Sequence, residues 1–105
     1  VKSSKRNEEE LDRIFHALAD STRRKLLANL ANGDSSVTDL ARPFEMSLQA
    51  VMKHLDVLVD AGLVSVEKSG RVKRCHGEFA ALKSAGHWVE NYAQFWRGQL
   101  AGLED

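Results

Sequence analysis

Residues 47–58 read SLQAVMKHLDVL, and their pattern decides the fold. Wound as a helix, Leu48, Val51, Met52, Leu55, Leu58 and Val59 share one face, which suits a core. The other face carries Gln49, Ala50 and Lys53, with His54 at its border, and runs down to apolar Val57. It has too few charges for a plain solubilising surface, so its small, amide and basic groups call for a counter-surface. Ser47 is a good N-cap and Gly62 a good stop, so the helix is expected to run to Ala61.

The flanking segments build outward from this helix. Before it, Ser36 or Val37 opens a short helix with Val37, Leu40 and Ala41 apolar, and Pro43 sits where that helix must finish. Asp20 caps another helix from Ser21 to about Ala31, with Leu26, Leu27 and Leu30 inward and Asn32-Gly33 ending it. From Glu8, the residues Leu11, Ile14, Phe15 and Leu18 recur at helical spacing, with Glu8, Glu9 and Glu10 at the positive N-terminal end. Residues 1–7 are expected to be a flexible segment, and residues 8–105 one domain.

After Gly62, the runs Leu63–Lys68 and Arg71–His76 are β-prone and flank Ser69-Gly70, which reads as a hairpin. A last helix spans Phe79 to about Leu103. The expected fold is mainly α with a small β-hairpin wing, in the order α-α-α-α-β-β-α.

Composition narrows the function classes. At 105 residues the chain is one domain's worth and can bury about two-thirds of its unfolded surface. A 43% hydrophobic and 29% charged content is that of a globular protein. The lone Cys75 excludes an intramolecular disulfide and suits a reducing compartment. No apolar run is long enough to span a membrane and no secretory leader is visible, so the expected address is cytoplasmic, without a membrane partner. The net charge of zero hides one basic stretch, residues 61–76, where Lys68, Arg71, Lys73 and Arg74 face a single acid, Glu67.

A short helix, a tight turn and a Ser-capped second helix with a polar outer face form the helix-turn-helix layout, whose second helix enters the DNA major groove. Gln49 can pair with adenine, Lys53 can donate to guanine, and Ala50 permits close approach and can meet a thymine methyl. His54 is placed for a phosphate or a base at the groove edge, and Ser47 lies at the helix start. In the hairpin, Arg71, Lys73 and Arg74 form a cationic wing suited to phosphate or the minor groove, with Arg71 beside the turn. Ser35, Ser36 and Thr38 add weaker phosphate donors.

The stretches Ala17-Leu18-Ala19-Asp20-Ser21-Thr22-Arg23-Arg24, Val37-Thr38-Asp39-Leu40-Ala41, Met46 to Leu55 and Leu58-Val59-Asp60-Ala61-Gly62-Leu63-Val64 resemble the ArsR family of winged-helix repressors. The resemblance covers about residues 11–100. It implies a homodimeric transcriptional repressor, acting on an imperfectly palindromic double-stranded operator, with the first and last helices at the dimer interface. Arg23 and Arg24 match a family motif but are read as structural ion pairs, and His16 as structural.

The last helix suits that role by its own chemistry. Trp88, Tyr92, Phe95, Trp96 and Leu103 form one stripe, which with Leu11, Ile14 and Phe15 of the first helix exceeds what a small core can cover. A two-fold dimer places its recognition helices roughly 34 Å apart, one DNA turn.

No metal or other cofactor is expected. The resemblance implies that the family's thiolate site would need a Cys pair where Val37 and Thr38 stand. Its last-helix site falls on Phe79, Ala81, Tyr92 and Phe95, none a zinc ligand. His87 and Glu90 do spell H-x-x-E, but His76 belongs to the wing. With a two-residue turn pairing 66 with 73 and 64 with 75, Cys75 should be a half-buried packing residue. Lys73 and Arg74 could lower its pKa, which keeps a thiol-responsive repressor as an alternative. Further alternatives are a metal-responsive repressor and a winged-helix module for protein contact. No catalytic constellation stands at usable spacing, so no enzyme is expected. The operator, the regulated genes and any inducer are not written in the residues.

Overall fold

Asp20, Ser36 and Ser47 each start a helix in the same way. Each backbone is extended, and each side-chain oxygen accepts the N–H three residues on: Arg23 at 3.2 Å, Asp39 at 3.1 Å and Ala50 at 3.1 Å. These caps set the frame of the molecule, for which a computed structural model describes the backbone of residues 2–104 and the side chains of residues 5–102. The helices are α1 (Lys2–Leu18), α2 (Ser21–Leu30), α3 (Val37–Ala41), α4 (Leu48–Asp60) and α5 (Leu82–Glu104). The strands are β1 (Ser35–Ser36), β2 (Val64–Ser69) and β3 (Val72–Gly77), and a 3-10 turn, Phe79–Ala81, leads into α5. This is a winged helix-turn-helix, mostly helical with a small antiparallel wing.

The core gathers one apolar row from each helix. Leu26, Leu27 and Leu30 of α2 meet Val37 and Leu40 of α3, and Val51, Leu55 and Leu58 of α4 close over them. On α4 the buried row is narrower than expected. Leu48 and Val59 are exposed and Met52 is half-buried, because those three lie on a flank of the helix turned away from α2 and α3. Among the described residues no helix is long and apolar enough to cross a membrane.

The end of α4 aims the chain into the wing. Gly62 adopts φ 76°, its N–H reaches the Val59 carbonyl at 2.9 Å, and the Leu63 N–H reaches Leu58 at 2.9 Å. This is the Schellman arrangement, with Leu58 and Leu63 both buried as its apolar pair. Nothing lies within 4 Å of a Cβ built at Gly62, so the cost of a side chain is conformational alone. Gly62→Ala is therefore expected to lose about 1 kcal/mol of stability in urea denaturation, from the left-handed backbone.

Three expectations are corrected. Helix α1 begins at Lys2 rather than Glu8, so the polar residues from Lys2 to Asn7 continue the helix and no acid lies in its first turn. Lys2, Lys5 and Arg6 are good helix formers, which favours this extension without an apolar face. The hairpin register is Val64↔Gly77, Val66↔Cys75 and Ser69↔Val72, because Gly70-Arg71 forms the turn in place of Ser69-Gly70. Gly70 takes φ 62° and Arg71 keeps a negative φ, the II′ pattern that suits strand twist. Cys75 still shares a face with Val64 and Val66, but it is fully buried rather than half-buried. The unforeseen strand β1 pairs Ser35 with Cys75 and Ser36 with Arg74, giving the sheet order β1-β3-β2 and covering the edge of β3.

Candidate nucleic-acid interface

The first two turns of α4 carry the outward face. Gln49 and Lys53 stand four residues apart, one above the other, and both are exposed; Ala50 lies beside them, half-buried. Ser47 is exposed, with its hydroxyl occupied in capping Ala50. Exposed Leu48 and Met46 add apolar surface at the same end. An amide, a methyl and an ammonium thus project together from the capped end of a helix.

The wing places cations by register. Lys68 lies directly across from Lys73, and Arg71 occupies the turn between their strands; all three are exposed. Two like charges directly opposite each other weaken a strand pair, so the tip is built at a cost in stability. Arg74 is not part of this group. It pairs across from Glu67 on the other face of the hairpin, and its guanidinium donates to the Asp34 carbonyl at 3.4 Å. Lys68, on the other side of the turn, belongs to this tip, and the observed register moves its partner from Arg71 to Lys73.

His54 also leaves the outward face. Its side chain is only 25% exposed, and Nδ1 lies 3.2 Å from a terminal nitrogen of Arg23 and 3.7 Å from Asp20 Oδ2. Arg23 and Arg24 are structural as expected, but their partners are carbonyls rather than carboxylates. Arg23 donates to Ala17 and His16, and Arg24 donates to Leu18 at 2.7 Å, closing the C-terminal end of α1. The ring of His16 itself is exposed. Ser36 spends its hydroxyl on the α3 cap.

The base of the wing holds an ionic tie. His76 Nδ1 lies 2.5 Å from Asp34 Oδ1, and Glu78 Oε1 stands 3.9 Å from Nε2. The hydrogen bond and charge of Asp34, with Glu78 behind, hold the imidazole pKa above its ordinary value, against a small opposing effect of burial. A raised folded pKa means that the tie is fully present at pH below the ordinary histidine value and is lost as pH climbs through the raised one. NMR titration is expected to find His76 above about 6.5, and Asp34→Asn should bring it down toward that value.

Cys75 faces the core, and burial pushes its thiol pKa up. This reverses the depression expected from Lys73 and Arg74, and a neutral buried thiol is a poor nucleophile. Among the described residues no three His, Cys, Asp or Glu side chains gather as a metal-binding group.

The aromatic stripe of α5 stands in the open. Trp88, Tyr92, Phe95 and Trp96 are each about half exposed and form a continuous ladder, with Tyr92 touching the other three at centroid distances of 5.2 to 6.3 Å. Phe15 of α1 meets Trp88 edge to face at 5.7 Å, and Leu11 lines the grooves beside them. Ile14 is corrected: at 3% exposure it packs into the monomer core and is closed to a partner. The side chain of Leu103 lies outside the described residues.

Comparison with known proteins gives these features a context. A helix-turn-helix domain family matches residues 18–67. The transcriptional repressor SdpR of Bacillus subtilis (strain 168) is 29% identical over 82 residues, covering 78% of this chain and 91% of the repressor. A crystal structure of an ArsR family transcriptional regulator superposes with a TM-score of 0.80 at 39% identity, over 86% of this chain and 93% of that one. The homodimeric winged helix-turn-helix DNA-binding domain of a possible ArsR-family regulator from Mycobacterium bovis superposes with a TM-score of 0.71 at 25% identity, over 90% of each chain.

Proposed function

The chain belongs to the ArsR family of transcriptional regulators, and from that membership we propose that it is a cytoplasmic, homodimeric, sequence-specific repressor of transcription. The observation that carries this reading is the exposed pair Gln49 and Lys53, with half-buried Ala50 beside them, at the capped start of α4, on the same molecule as a cationic hairpin tip. Gln49 and Lys53 have the chemistry to read adenine and guanine edges in the major groove. Lys68, Arg71 and Lys73 have the chemistry to hold phosphates, and an anionic counter-surface would relieve the repulsion built into the Lys68–Lys73 pair.

The α1–α5 face is the proposed dimer interface, with Phe15, Trp88, Tyr92, Phe95 and Trp96 as anchors and Leu11 beside them. The relative from Mycobacterium bovis, described as homodimeric, supports dimerisation, and the exposed aromatic ladder is what points to this face. A two-fold pair of recognition helices matches an imperfect palindrome, and repression of its own promoter is the simplest circuit for such a chain without an assigned inducer.

Salt dependence separates this reading from a protein-docking role for the same face. Binding to duplex DNA from the chain's own promoter, followed by fluorescence anisotropy, should weaken steeply as salt rises. Arg71→Ala should lower the log–log slope by about 1, the signature of one lost phosphate contact. An unaltered slope removes Arg71 from the interface, and no DNA binding at low salt removes the function.

A further inference from the structure

Arg23 stands at a junction of three helices. Its Nε donates to the Ala17 carbonyl at 2.7 Å and one terminal nitrogen donates to the His16 carbonyl at 2.9 Å, so two arms of the planar guanidinium close the end of α1. The remaining terminal nitrogen meets Nδ1 of His54 on α4 at 3.2 Å. Arginine only donates, so Nδ1 must present its lone pair and the ring proton sits on Nε2. Asp20, the cap of α2, receives the backbone N–H of Arg23 and stands 3.7 Å from the same imidazole nitrogen.

Among the described residues, the Arg23–His54 contact is the only side-chain hydrogen bond joining α4 to another element. The rest of the α4 seat is apolar, through Val51, Leu55 and Leu58. Apolar burial holds a helix in place but is non-directional, so it tolerates small rotations and slides. A hydrogen bond anchored to a rigid fork does not, because its strength falls steeply with angle. The outward-facing residues Gln49 and Lys53 lie on the same helix as this anchor, five and one positions before it.

We propose that Arg23 and His54 are positioning residues for DNA recognition, locking α4 to the end of the dimerisation helix α1 and so fixing the separation and phase of the two recognition helices. The inference rests on the dimeric DNA-binding reading above. It assigns His54 a role through geometry rather than through contact with a base or phosphate. It also makes spacing between half-sites the property that depends on the pair, since one base pair turns a half-site by roughly 34–36° about the duplex.

The experiment uses the highest-affinity duplex recovered by selection from random DNA, together with versions whose half-site spacing is one base pair longer or shorter. Arg23→Ala also frees two carbonyls and can unfold the chain, so His54→Leu carries the test, with His54→Asn as the variant that keeps an acceptor near the Nδ1 position. The unaltered protein should discriminate against altered spacing by about tenfold. His54→Leu, still dimeric, should bind the native spacing more weakly and discriminate by about threefold or less, and His54→Asn should restore both. Equal weakening on all three spacings would mark His54 as a direct DNA contact and overturn the inference, as would retained discrimination or failure of His54→Asn to rescue. If the unaltered protein shows no spacing preference, the dimeric DNA-binding reading falls and takes this inference with it.

Discussion

Trp96→Ala is expected to convert the proposed dimer into a folded monomer. Trp96 is 47% exposed in the single chain, and its aromatic neighbours, Tyr92 and Phe95, belong to its own helix. The monomer core therefore loses little when the indole goes. A partner that covers the stripe loses a large buried aromatic, and interface truncations of this kind cost about 2 kcal/mol or more each. The two-fold axis counts the change twice, so dimer dissociation should rise by roughly a thousandfold. Sedimentation equilibrium reads the association state and circular dichroism reads the fold. A dimer of unchanged affinity would move the interface off α5, and an unfolded chain would show that the stripe belongs to the monomer core.

Lys53→Ala should weaken binding to the preferred duplex by about 1–3 kcal/mol, which is tenfold to more than a hundredfold, and relax the base preference at one position of each half-site. Its stability should stay within about 0.5 kcal/mol of the unaltered protein, because the side chain is exposed and forms no ion pair among the described residues. A loss of equal size on every sequence would make Lys53 a phosphate contact. Unchanged affinity would remove it from the interface altogether.

The recognition helix was legible in the sequence because its signals are local. Ser47 caps, Gly62 stops, and the apolar spacing between them has one reading. Family membership was legible for a different reason, since several weak motifs stood in order. What lay beyond the sequence depended on contacts far apart in the chain. Strand β1 is two serines with no pattern, and only its pairing with Arg74 and Cys75 makes it a strand. The hairpin turn moved by one residue, from Ser69-Gly70 to Gly70-Arg71, and that step shifted the register by two. Both turns contain Gly70, so the local signal does not choose between them; the strand pairing does.

The site shows the same division. Gln49 and Lys53 face outward as their helical phase dictates. His54 has nearly the same phase as the core border, and its fate was decided by an arginine 31 positions earlier. Ile14 shares a helical pattern with Phe15, yet one is buried and the other open, because α1 touches its own core along a stripe narrower than its apolar face. Arg74 differs from Lys73 only by the pleat, which sends successive side chains to opposite faces.

Selection of preferred sites from random double-stranded DNA by the purified chain tests the central claim most directly. The account predicts enrichment of one imperfect palindrome with half-sites centred about one helical turn apart, roughly 10 base pairs, bound less tightly as salt rises. Recovery of unenriched, random sequence at every salt concentration would contradict it.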